Sequence, residues 1–181
     1  MEKAVEDESE KKRQLDTIGA IAISRDGISA AGVSSGGVAL KIPGRIGQGA
    51  IYGAGCWAED GTGTTTSGTG EQLIKTSFAR VLNECLMNPV ENENLIMAAD
   101  RAFIRYFINS RVLKEYDLDS RLAGFLAAVL DPSSSRIQIL SGHNTQSMIY
   151  SFRSSKARKA SCFFSRFNDI HSNMKLNCHL I

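Results

Sequence analysis

The sequence has no run of about 18 apolar residues, the length a membrane-spanning helix needs, and its first eight residues, Met-Glu-Lys-Ala-Val-Glu-Asp-Glu, lack the apolar stretch of a signal peptide. It has only three prolines against sixteen glycines, which excludes a Pro-rich linker protein and favours tight turns. Charge of one sign is also missing. Twenty-one basic side chains face nineteen acidic ones, a net charge of +2 that gives no reason to expect a nucleic-acid partner. The four cysteines, Cys56, Cys85, Cys162 and Cys178, form no C-x-x-C pair, and His143, His171 and His179 lie at no zinc spacing. Reduced thiols and a cytoplasmic or nuclear location follow as the expectation. No metal and no cofactor is implied.

What is present is an ordinary globular middle with polar ends. Hydrophobic residues make up 43% and charged residues 22% of 181 positions, enough for one domain with a real core. Residues 1–16 carry four basic and six acidic side chains, and residues 151–181 carry six basic and one acidic. The first stretch reads as a flexible charged arm. Its Lys11-Lys12-Arg13 is either a nuclear import signal or solvated charge. Lys156, Arg158 and Lys159 form a second basic cluster without interleaved aromatics. The expected organisation is an arm over residues 1–16, a main unit over 17–152 and a poorly defined basic tail over 153–181.

Residues 17–24 and 28–34 are rich in β-branched and small side chains around the turn Arg25-Asp26-Gly27, which predicts a β-hairpin. A Gly-rich loop follows to Gly49, then strands over 50–59 and 62–67. Ile74, Phe78, Val81, Leu82 and Cys85 share one face of a helix expected over 70–85. Leu95, Ala99, Ala102, Phe103 and Tyr106 do the same for a helix over 91–109. Strands are expected over 122–130, 136–141 and 147–152, after which no period is clear. Strands, two helices, then strands predict a layered α+β domain.

The chemistry centres on Asp16-Thr17, where the charged arm meets a Gly/Ala-rich strand. Thr17 is either an ordinary strand-opening residue or a nucleophile. If the bond before it were cut, its free α-amine, with a pKa of about 7.7–8.0, would serve as base for its own hydroxyl. Five segments bear on the choice: Thr17-Ile-Gly-Ala-Ile-Ala, Ala31-Gly-Val-Ser-Ser-Gly-Gly37, Pro43-Gly-Arg-Ile-Gly-Gln48, Ile51-Tyr-Gly-Ala-Gly-Cys-Trp-Ala-Glu59 and Thr66-Ser-Gly-Thr-Gly-Glu71. In order and spacing they resemble the asparaginase-2 family of N-terminal-nucleophile hydrolases, and within it the threonine aspartases, or taspases.

The resemblance implies an incomplete four-layer αββα sandwich and self-cleavage between Asp16 and Thr17, which separates an α half from a β half. It makes Thr17 the nucleophile and Ser35 the hydroxyl that orients it. Ser67 and Gly68 become the oxyanion donors, with serine where members often have threonine. Arg45 becomes the grip on a substrate carboxylate, which suits a guanidinium's paired donors. Glu71 reads as a carboxylate at a helix start. Gln48 stands where asparaginase-type members usually carry an aspartate that holds a substrate's α-ammonium. Taspases carry glutamine there, so the resemblance implies a threonine endopeptidase cutting protein substrates after aspartate. Asparaginase or isoaspartyl peptidase activity is the alternative, as is an inactive fragment needing a missing α half or a second protomer. No nucleic-acid or membrane partner is implied.

Overall fold

The computed structural model describes residues 16–167 and 174–181. The Lys11-Lys12-Arg13 cluster, the rest of the arm before Asp16 and His171 lie outside the described residues. Among the described residues no helix is long and apolar enough to cross a membrane.

The hairpin forms as its sequence dictates. Strands β1 (Thr17–Ile23) and β2 (Ser29–Ser35) pair antiparallel, with Thr17 opposite Ser35. Gly27 closes the turn at φ +81°, a backbone shape suited to glycine. The register places the two hydroxyl residues at the same open end of the hairpin.

A five-stranded antiparallel sheet lies beneath. Its strands are β3 (Cys56–Glu59), β4 (Thr62–Gly68), β5 (Ala123–Asp131), β6 (Arg136–His143) and β9 (Lys175–Leu180), in that spatial order. Strands β7 (Ser147–Phe152) and β8 (Ser161–Arg166) form a separate hairpin. Side-chain alternation along β4 sorts the layers. Gly63 and Thr65 face β1, where a Cβ on Gly63 would lie 2.5 Å from Ile21 and one on Gly19 2.5 Å from Thr65. Small residues are what let the two sheets touch. Thr64 faces the other way and its hydroxyl donates to the Ala79 carbonyl at 2.8 Å.

That other face carries helices α1 (Gly70–Thr76), α2 (Phe78–Met87) and α3 (Leu95–Arg101), the last running on as a wider π turn over Ala102–Ile108. The core is aromatic. Phe78 is fully buried and meets the rings of Phe107, Phe103 and Phe125 at 5.1, 5.9 and 6.5 Å. Arg121, itself buried, donates to the Leu113 and Tyr116 carbonyls at 2.7 Å and also to Ile108, satisfying acceptors left by the helix end. The described layers are therefore helices, a five-stranded sheet and the β1–β2 hairpin. The architecture is mixed α/β with antiparallel sheets.

Several boundaries differ from the sequence pattern. The helix expected over 70–85 breaks at Ser77, which adopts φ +47° and caps α1 through its N–H to the Ile74 carbonyl at 3.1 Å. The helix expected over 91–109 starts at Leu95, because the Asn94 side chain accepts from the Met97 N–H at 2.9 Å. The strand expected over 50–59 shrinks to β3, since Gln48–Ala50 form a 3-10 turn and residues 51–55 coil behind it. Strands β8 and β9 arise where no period is visible, and β9 extends the main sheet by pairing with β6.

Candidate active site

Thr17 opens β1 half-buried, its Oγ1 3.0 Å from the Ser35 Oγ across the hairpin end. Ser35 is held in turn, since its Oγ accepts the Gly37 N–H at 3.1 Å and Gly37 has φ +74°. The Gly-rich loop after β2 thus fixes the hydroxyl that fixes Thr17. The Thr17 nitrogen is an amide here, and its N–H donates to the Asp16 Oδ1 at 2.8 Å. An amide nitrogen has no basic lone pair, so the α-amine base requires the Asp16–Thr17 bond to be cut.

The same loop supplies two more groups. Gln48 is 3% exposed and its Nε2 donates to the Thr17 Oγ1 at a long 3.5 Å. Gln48 Oε1 and Arg45 Nη2 converge on Gly70, 2.7 and 2.8 Å from where a Cβ there would sit. Arg45 Nη1 lies against Gly47 in the same manner, at 2.8 Å. Thr17, Ser35, Gln48 and Arg45 are thereby one constellation, with glycines leaving room for the guanidinium. Arg45 Nε donates to Glu71 Oε1 at 2.7 Å, and this hydrogen bond holds the Glu71 carboxyl below its usual range. The pairing of Glu71 with a loop arginine is a contact that the reading of Glu71 as a helix-start carboxylate missed.

On its other side Thr17 borders a cavity of about 430 Å³. Residues 16–19 form one wall, 65–67 and 124–126 the floor, and Thr145 with 147–151 the far wall. Ser67 lies in this floor. Gly68 does not line the cavity. It sits opposite Ala123 at φ +145°, where a Cβ would come within 2.2 Å of the Leu122 carbonyl, so glycine is required for the strand to end as it does.

Burial pushes the Cys56, Cys85 and Cys178 thiols up from their ordinary value, which keeps them protonated. His143 is fully buried and used structurally. Its Nδ1 meets the Thr145 carbonyl at 2.9 Å, so that nitrogen carries the proton, and Nε2 accepts from Ser165 at 2.9 Å.

Comparison with known proteins decides the family. The asparaginase family model matches residues 1–110. The chain belongs to the asparaginase family. A plant-type L-asparaginase of Pyrobaculum calidifontis is 48% identical over 65 residues, covering 35% of this chain and 22% of that protein. An Arabidopsis thaliana protein named probable isoaspartyl peptidase/L-asparaginase 2 is 31% identical over 133 residues, covering 74% of this chain and 35% of the relative. The N(4)-(beta-N-acetylglucosaminyl)-L-asparaginase of Mus musculus is 44% identical over 61 residues, covering 33% and 18%. The chain thus spans about a third or less of each of these relatives. All three names contain L-asparaginase, and the second adds isoaspartyl peptidase.

Gly70→Ala tests the constellation. The two atoms it would meet closer than 3 Å are side-chain tips, and the Gln48 backbone nitrogen stays at 3.4 Å, so α1 keeps its fold and the melting temperature stays within a few degrees. Arg45 and Gln48 must move, and a displacement of about 1 Å at a site can cost roughly 10²-fold in rate. Steady-state kinetics beside a thermal melt on the complete protein reads both.

Proposed function

We propose that the complete protein is a threonine endopeptidase that frees Thr17 by cutting its own Asp16–Thr17 bond and then cleaves protein chains after aspartate. Family membership supports the hydrolase. One residue supports the substrate. Gln48, buried 3.5 Å from the Thr17 hydroxyl, is neutral and cannot pair with the α-ammonium of a free amino acid. Among the described residues the only carboxylate lining the adjacent cavity is Asp16, which departs with the arm. A residue inside a protein chain has no ammonium at that place, and its aspartate side chain offers the carboxylate that Arg45 takes.

In this mechanism the Thr17 α-amine removes the hydroxyl proton and Oγ1 attacks the aspartyl carbonyl carbon. Ser67 and Gly68 donate to the oxyanion, and the leaving amine takes the proton as the C–N bond breaks. Water then hydrolyses the aspartyl–Thr17 ester and restores the hydroxyl. Self-cleavage cannot use that amine as base, because it is still the scissile amide: Oγ1 attacks the Asp16 carbonyl one residue away, where proximity lowers the barrier, its proton passes to the Thr17 nitrogen as the C–N bond breaks, and water hydrolyses the resulting Asp16–Oγ1 ester.

The fold we propose for the complete protein is the four-layer αββα sandwich, with an α half covering the outer face of the hairpin. Ile18 and Ile28, 72% and 74% exposed, mark the face that it would bury.

The names of the relatives support a second reading, asparaginase or isoaspartyl peptidase, and support it more directly than they support an endopeptidase. Incubating the processed protein with an aspartate-containing peptide, with asparagine and with a β-aspartyl dipeptide separates the two. Cleavage of the peptide after aspartate, with no ammonia from asparagine, is the result expected. Ammonia or β-aspartyl hydrolysis without peptide cleavage establishes the second reading instead.

A further inference from the structure

Arg45 does not hold itself in place. It lies on a loop, in a segment with no regular secondary structure, and an arginine side chain has four rotatable bonds. What fixes it is one carboxylate and three glycines. Glu71 takes the Nε edge at 2.7 Å. Gly37 and Gly47 leave space at Nη1, and Gly70 at Nη2. Glu71 is itself fixed by its place in the first turn of α1, which packs its neighbours Gln72 and Leu73 into the core. The Glu71 side chain is 48% exposed and that of Arg45 17% exposed, so the acid stands outside the arginine, on the solvent side.

A guanidinium can bind a carboxylate through the Nε–Nη2 edge or end-on through Nη1 and Nη2. With Nε taken, only the end-on pair is free. Its Nη2 adjoins Gln48 Oε1 at Gly70, and the amide nitrogen of Gln48 reaches Thr17. We propose that Glu71 is a positioning residue, which occupies the Nε edge of Arg45 and so commits the guanidinium to end-on capture of a substrate carboxylate on the Thr17 side.

The inference rests on the proposed role of Arg45. It holds equally for an aspartate side chain and for the α-carboxylate of asparagine, because both place a carboxylate two carbons from the carbonyl under attack. Two properties of Glu71 can be separated by substitution. Glutamine keeps the accepting oxygen and drops the charge, while alanine removes both. Positioning by the oxygen predicts that glutamine preserves binding. Charge alone predicts instead that both substitutions tighten binding alike, since each removes an anion that repels a bound carboxylate.

The test is an NMR titration of the complete, processed protein with succinate, a four-carbon dicarboxylate that presents the aspartyl skeleton without a scissile bond. Peptide or asparagine kinetics and a thermal melt are run on the same samples. Glu71→Ala should weaken succinate binding by about tenfold, the lower end of what loss of an orienting partner costs at metal sites. KM should rise to match, with kcat within about twofold as for lost uniform binding. Glu71→Gln should bind within about threefold of wild type, in line with a neutral acceptor replacing a charged one. Melting temperatures should agree across all three, as expected for an exposed pair. Equal succinate affinity in the three proteins, or no binding to wild type, overturns the inference. Wild type that binds succinate but hydrolyses no substrate sinks the hydrolase reading and leaves the positioning role standing.

Discussion

Thr17→Ala lowers kcat/KM of the complete protein by about 10⁴-fold or more, the scale seen when a covalent nucleophile is removed. The reason is local. The Oγ1 that Ser35 and Gln48 address is the atom deleted, and the Ser35 hydroxyl, 3.0 Å from it, belongs to a mid-chain residue with no free α-amine of its own to serve as base. The same substitution leaves the Asp16–Thr17 bond uncut, because that step uses the same oxygen. Thr17→Ser is the control. It keeps hydroxyl and α-amine but loses the β-methyl that limits χ1, so it should retain cleavage at a reduced rate. Substrate assays with intact-mass measurement on both variants check the pair. Hydrolysis surviving in Thr17→Ala would remove Thr17 from the mechanism.

Phe78→Ala should cost about 3–5 kcal/mol of stability, the usual range for truncating a buried aromatic. The ring is fully buried and meets three other phenylalanines, one of them on β5. Removing it leaves a cavity between the helix layer and the main sheet. Urea unfolding measures the loss. Val90→Ala, at a position 55% exposed, is the comparison and should change stability by less than about 0.5 kcal/mol. A loss below about 1 kcal/mol at Phe78 would mean that the helix layer is held by something other than this cluster.

The hairpin and most strands were legible because their signals are local. Alternating apolar and small residues meet a Gly turn, and the register of β1 with β2 follows from that turn. The break at Ser77 was not, since the apolar face runs through it from Ile74 to Cys85 with no proline or glycine between. What redirects the chain there is distant: the Arg80 N–H, in the first turn of α2, donates to the Gly53 carbonyl at 2.9 Å. Strand β9 was hidden for a related reason. Lys175–Leu180 alternates only weakly in burial, and its place is set by the open edge of β6.

In the site, Thr17, Ser35 and Gln48 could be named because their motifs carry them, and the fold brings them within hydrogen-bond reach. Glu71 could be named only as part of a helix start. Its partner Arg45 is 26 positions earlier on a loop without periodicity, so no pattern in the sequence pairs them.

Mass spectrometry of the complete, purified protein tests the central claim most directly, because every later step needs Thr17 to carry a free α-amine. Self-cleavage at Asp16–Thr17 gives two pieces, the downstream one beginning at Thr17, and no such cleavage occurs in Thr17→Ala. A protein that hydrolyses substrate while its Asp16–Thr17 bond remains intact would contradict it.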